Sequence, residues 1–143
     1  MSCVHGLQSK LIGFAIACDG RQVMHYLADG VILSTPTGST AYSLAAGGPV
    51  VDPAIKCLIL TPICTHSLFA RSIIFKQQSV ICVQADSGEL DDVYLSCDVE
   101  PSVKVPPGAQ IIVKKSDETA DFMRLKTNTF LDVLNDKLAE RRA

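Results

Sequence analysis

Residues 29–42 read Asp29-Gly30-Val31-Ile32-Leu33-Ser34-Thr35-Pro36-Thr37-Gly38-Ser39-Thr40-Ala41-Tyr42, and their order is strand, turn, helix. An acidic residue beside glycine leads into an apolar, partly β-branched run of strand length. The strand ends at Thr35-Pro36, because proline has no N–H to pair onward. Ser39 or Thr40 is placed to cap a short helix, Ala41-Tyr42-Ser43-Leu44-Ala45-Ala46, and Gly47-Gly48 supplies the positive φ that closes it. The first N–H groups of such a helix lack backbone partners, so its start suits polar or anionic groups. The hydroxyls of this segment, the Tyr42 ring and the Asp29 carboxylate together fit a nucleoside-like ligand. They fit a plain capped helix after a strand as well.

Outward from this segment, strand-length apolar runs recur at 11–17, 22–27, 31–35, 57–63, 72–76, 80–85, 93–97 and 111–115. Asp19-Gly20 suits a type I′ hairpin, and Pro106-Pro107-Gly108 ends whatever precedes it. Short strands with frequent turns predict a mainly β fold, a two-sheet sandwich. The tail from Thr129 to Arg142 breaks the pattern. Phe130, Val133, Leu134 and Leu138 form one stripe, with Thr127, Asn128 or Thr129 as cap, which predicts a helix packed on the sandwich.

The 143 residues, 48% apolar and 20% charged, fill one domain spanning 1–143. A net charge of -2 without a basic stripe speaks against a nucleic-acid partner. Cys3, Cys18, Cys57, Cys64, Cys82 and Cys97 are too widely spaced for a zinc site and read as buried thiols, so no metal is expected on this chain. Neither a signal peptide nor a membrane-length apolar run occurs, which leads to the expectation of a cytoplasmic protein without membrane contact. A serine hydrolase finds no Gly-x-Ser-x-Gly elbow.

The pattern from Asp29-Gly30 through Ser34-Thr35-Pro36-Thr37-Gly38-Ser39-Thr40-Ala41-Tyr42-Ser43-Leu44 to Ala46-Gly47-Gly48-Pro49 resembles the signature of the C-terminal domain of NAD kinases. Downstream, Thr61-Pro62-Ile63-Cys64-Thr65-His66-Ser67-Leu68, Leu95-Ser96-Cys97-Asp98 and Arg124-Leu125-Lys126 resemble further family stretches in register, so the likeness covers nearly the whole chain. It implies binding of NAD or NADP by Asp29, Thr40, Ala41, Tyr42 and Ala45, with Thr37, Cys64, His66, Asp98 and Glu100 as weaker candidates. Ala45 stands where serine is common, Leu27 where a basic residue is frequent, and Glu100 where an amide is frequent. His5 and His25 match no motif and are expected to be structural or exposed.

The family phosphorylates NAD to NADP with ATP or polyphosphate and a divalent metal such as magnesium, and it forms homo-oligomers, dimers or tetramers. Phosphoryl transfer requires a cradle for the donor and a carboxylate near the acceptor hydroxyl. The family's Gly-Gly-Asp-Gly loop, which brings the catalytic aspartate from an N-terminal α/β domain, does not occur here. The resemblance therefore implies NAD binding and assembly, with no catalytic residue and no cofactor held by this chain alone. A second reading stays open, a non-catalytic dinucleotide-binding or oligomerisation module.

Overall fold

The computed structural model describes residues 1–6, 12–65, 70–86, 92–98, 100–120, 123 and 129–139. Ten strands, β1 (Ser2–Gly6), β2 (Ile12–Cys18), β3 (Arg21–Ala28), β4 (Gly30–Ser34), β5 (Cys57–Ile63), β6 (Ile73–Lys76), β7 (Ile81–Asp86), β8 (Val93–Cys97), β9 (Val103–Val105) and β10 (Gln110–Val113), form two sheets among the described residues. The larger has the order β6-β5-β4-β1-β8-β9 and the smaller β10-β7-β2-β3, with every pairing antiparallel. The mainly β, two-sheet expectation holds.

Strand alternation puts Val4, Val31, Leu33, Leu58, Leu60 and Val93 of the larger sheet on one face. They pack there against Ile12, Phe14, Ile16, Tyr26, Ile81 and Val83 of the smaller sheet. Phe14 and Ile16 are wholly inaccessible to solvent. Tyr26, the bulkiest core side chain, carries its hydroxyl to the edge of the core and donates to the Arg71 carbonyl at 2.9 Å.

The β2–β3 hairpin turns through Asp19 and Gly20 with φ of 50° and 79°, the double positive φ of a type I′ turn. The Asp19 carboxylate ties the turn to the next strand by accepting the Val80 N–H at 2.8 Å and the Ser79 hydroxyl at 3.2 Å. The Val80 N–H, foremost, holds this carboxyl below its ordinary range.

The tail forms α2 (Phe130–Ala139), beyond which residues 140–143 lie outside the described part. Its cap is Thr129. The Thr129 hydroxyl accepts the Asp132 N–H at 3.3 Å, while Asp132 accepts the Thr129 N–H at 2.8 Å, a reciprocal capping box. Leu131 on this helix is exposed. No helix among the described residues is long and apolar enough to cross a membrane.

Candidate functional site

The outer face of the larger sheet carries the site. Residues paired across strands point to the same side, so the ladders Cys3↔Ile32↔Thr61 and His5↔Gly30↔Ile63 line up there, with Ser96 and Tyr94 of β8 beside them. Gly30 is what lets β1 approach. A Cβ on it would stand 2.5 Å from the Val4 carbonyl oxygen and 3.2 Å from the His5 Cα. The neighbouring Asp29 is pinned by its N–H to the Ile63 carbonyl at 3.0 Å and keeps its side chain exposed.

After β4 the motif folds as a 3-10 turn at Thr37–Thr40 followed by α1 (Tyr42–Ala45). Neither Ser39 nor Thr40 caps α1. The Ser39 hydroxyl is fully buried, donates to the Pro36 carbonyl at 2.6 Å and accepts the Val51 N–H at 3.1 Å. Thr40 donates to the Thr37 carbonyl at 3.4 Å. The expected reservoir of free N–H groups is largely spent inside the turn: Ser39 N–H donates to Pro36, Ala41 N–H to Gly38, Gly38 N–H to the Thr35 hydroxyl. Two short turns thus stand in place of one helix.

The glycine stop is as expected. Gly47 has φ 82°, its N–H donates to Leu44, and the Gly48 N–H reaches the Ser43 carbonyl at 2.8 Å, which completes a Schellman motif. Ser43 is buried with its hydroxyl 3.0 Å from that of Thr61 on β5.

Asp29 and Tyr42, the two ends of the motif, line a cavity of about 480 Å³ together with Cys64 and Asp98. Cys64 and Asp98 follow directly on β5 and β8, and both have positive φ, 47° and 49°. Such conformations cost non-glycine residues free energy and gather at ligand sites. The floor comes from Cys3 and His5 of β1 and from Ser96 of β8, which pairs with Cys3. His5 Nε2 lies 3.4 Å from the Ser96 Oγ and its ring stacks on Tyr94, so this histidine belongs to the site wall, a place the sequence reading did not give it. Burial pushes the Cys3 thiol up to about 11.

Thr40, Ala41 and Ala45 do not line this cavity, and Thr37 lines a second one. Glu100 is exposed on the turn after β8, where its N–H donates to Cys97, and it does not line the cavity. His66 lies outside the described residues. Among the described residues no three of His, Cys, Asp and Glu stand together as a metal donor set.

In architecture this is an antiparallel β-sandwich with a cavity on the outer face of its larger sheet, the form of NAD kinase C-terminal domains. The family model for the ATP-NAD kinase C-terminal domain matches residues 1–125, and the chain belongs to the NAD kinase family. An NAD kinase of Thermoanaerobacter sp. is 48% identical over 136 residues, which are 95% of this chain and 48% of that protein. One from Carboxydothermus hydrogenoformans is 41% identical over 135 residues, 94% of this chain and 48% of its own length. The chain thus spans about half the length of these relatives. Among solved structures, yeast NADH kinase complexed with NADH superposes with a TM-score of 0.73 at 38% identity, covering 79% of this chain and 33% of that one. An Archaeoglobus fulgidus NAD kinase in complex with ATP gives 0.73 at 32% identity, covering 81% and 44%.

Proposed function

We propose that this chain supplies the dinucleotide-binding part of an NAD kinase, the enzyme that phosphorylates NAD to NADP with ATP or polyphosphate. The observation that carries the reading is the convergence of Asp29 and Tyr42, thirteen positions apart, on one cavity with Asp98 and Cys64. Carboxylates accept from hydroxyl and amide groups, which are the donors of a ribose and a carboxamide, and Tyr42 offers a flat face at its half-exposed ring. In this reading Asp29 and Asp98 orient the nucleoside, and Tyr42 stacks on it or donates its phenol.

Phosphoryl transfer belongs to the complete protein, in which the remaining length brings the donor cradle and the catalytic carboxylate. The isolated chain is expected to bind NAD and not to phosphorylate it, and to assemble as a homo-oligomer in the cytoplasm. Calorimetric titration with NAD tests the binding, with Asp29→Asn and Tyr42→Ala as controls. An NADP-forming assay with ATP or polyphosphate tests the inactivity.

A further inference from the structure

Among the described residues that line the cavity of Asp29 and Tyr42 there is one imidazole, that of His5. On one side His5 pairs with Gly30, the residue after Asp29, and on the other with Tyr94 of β8. A Cβ on Gly30 would stand 3.1 Å from the His5 Cβ, so the glycine keeps the space at the root of the ring clear. On the β8 side the ring stacks on Tyr94, with centroids 6.3 Å apart and planes 23° from parallel. The ring is thus held in place at the cavity floor while remaining half-buried.

Its Nε2 lies 3.4 Å from the Ser96 Oγ, a long contact for a hydrogen bond. Ser96 has a closer partner, the Ser102 Oγ at 2.7 Å. A ligand group that takes over Nε2 therefore leaves Ser96 paired. A neutral imidazole can accept a hydrogen bond from a hydroxyl or amide, whereas an imidazolium only donates. The polar groups of a nucleoside are largely such donors, so His5 serves them in its neutral form alone.

We infer that His5 is a binding residue of the dinucleotide site: its neutral imidazole accepts a hydrogen bond from the bound nucleoside, and protonation withdraws that bond. This rests on the proposed function and names a residue that gives ligand binding a pH dependence. Histidine is the side chain whose charge ordinarily changes between about pH 5 and 8. The other titratable groups around it are Cys3 on its own strand, Asp29 before β4, Tyr42 on α1, Cys64 after β5, and Tyr94 and Asp98 on and after β8. The Met1 ammonium, paired with Asp98 at 2.8 Å, also borders the cavity, and an α-amino group ordinarily titrates near about pH 8. The interval below about pH 7 therefore isolates the imidazole.

The chain is titrated calorimetrically with NAD at about pH 7 and about pH 5.5. Wild-type affinity is expected to fall about fivefold at the lower pH, the worth of one hydrogen bond. His5→Ala is expected to bind about fivefold more weakly at the higher pH and to show no further fall. His5→Gln, whose amide oxygen still accepts, is expected to recover part of that loss and also to show no fall; it carries the test should the alanine variant fail to fold. Wild-type affinity in His5→Ala, or a fall with pH that persists in either variant, overturns this inference and leaves the proposed function standing. No NAD binding by the wild-type chain at either pH overturns both.

Discussion

Ser43 and Thr61 meet hydroxyl to hydroxyl at 3.0 Å directly beneath Gly48, and this buried contact fastens α1 to the larger sheet. Thr61 also accepts from Ser72 at 3.2 Å, so the motif helix, β5 and the approach to β6 share one small polar network.

Gly48 has no room for a side chain. A Cβ there would stand 2.5 Å from the Ser43 Oγ, 2.6 Å from the Thr61 Oγ1 and 2.8 Å from the Ser43 carbonyl. Gly48→Ala is expected to destabilise the protein by about 1–3 kcal/mol through overpacking. Gly47→Ala, with open space around it and φ of 82°, carries backbone strain alone, about 1 kcal/mol. Urea unfolding compares them, and an unchanged midpoint for Gly48→Ala would show that the network yields freely.

Ser39→Ala removes the acceptor of a buried N–H, that of Val51, and a donor to Pro36. The expected loss is about 1–3 kcal/mol, the cost of leaving a buried polar group unpaired. Thr40→Ala removes only a long bond to Thr37 and is expected to shift thermal unfolding far less. Equal effects would restore a capping role for both.

Asp19 gives the hairpin a pH dependence with a definite sign. Its carboxyl is held below its ordinary value by the Val80 N–H, so its contribution is present above the unfolded value, about 3.9, and lost as pH falls through the folded one. Asp19→Asn tolerates positive φ without titrating, and its stability is expected to fall less steeply below about pH 4. Superimposable acid-unfolding curves would remove Asp19 from that role.

The cysteines divide by burial. Cys64 is exposed on the cavity wall, whereas Cys3 and Cys57 are buried and their thiols are raised by desolvation. Alkylation read by mass spectrometry is expected to modify Cys64 first and to slow there when NAD is added. Labelling of Cys64 indifferent to NAD counts against a ligand in that cavity. The raised Cys3 thiol contributes stability that is complete below its ordinary value of 9.0 and declines as pH rises towards about 11.

Much of the fold is legible in the sequence because periodicity reports burial. The runs at 57–63 and 93–97 become β5 and β8 with their predicted ends, and Asp19-Gly20 forms the expected turn. The central strand β1 is not legible. Its sequence, Ser2-Cys3-Val4-His5-Gly6, has one β-branched residue, because only Val4 enters the core while Cys3 and His5 face the cavity. β9 is three residues long and ends against Pro106.

In the candidate site, Asp29 and Tyr42 are legible from the motif. The role of Ser39 is not, since its partner Val51 lies twelve residues away and a hydroxyl near a helix start reads equally as a cap. Cys3 and His5 are hidden for the same reason as β1, although their alternation around Val4 is the available signal, and Ser96 joins them only through the pairing of β8 with β1.

The central claim, that the carboxylate-lined cavity receives the dinucleotide, is tested most directly by calorimetric titration of the chain with NAD. Saturable binding is predicted, weakened about tenfold by Asp29→Asn, which removes one charge-assisted acceptor, and weakened again by Tyr42→Ala. Absence of heat with the folded wild-type chain, or equal affinity in both variants, would contradict the account.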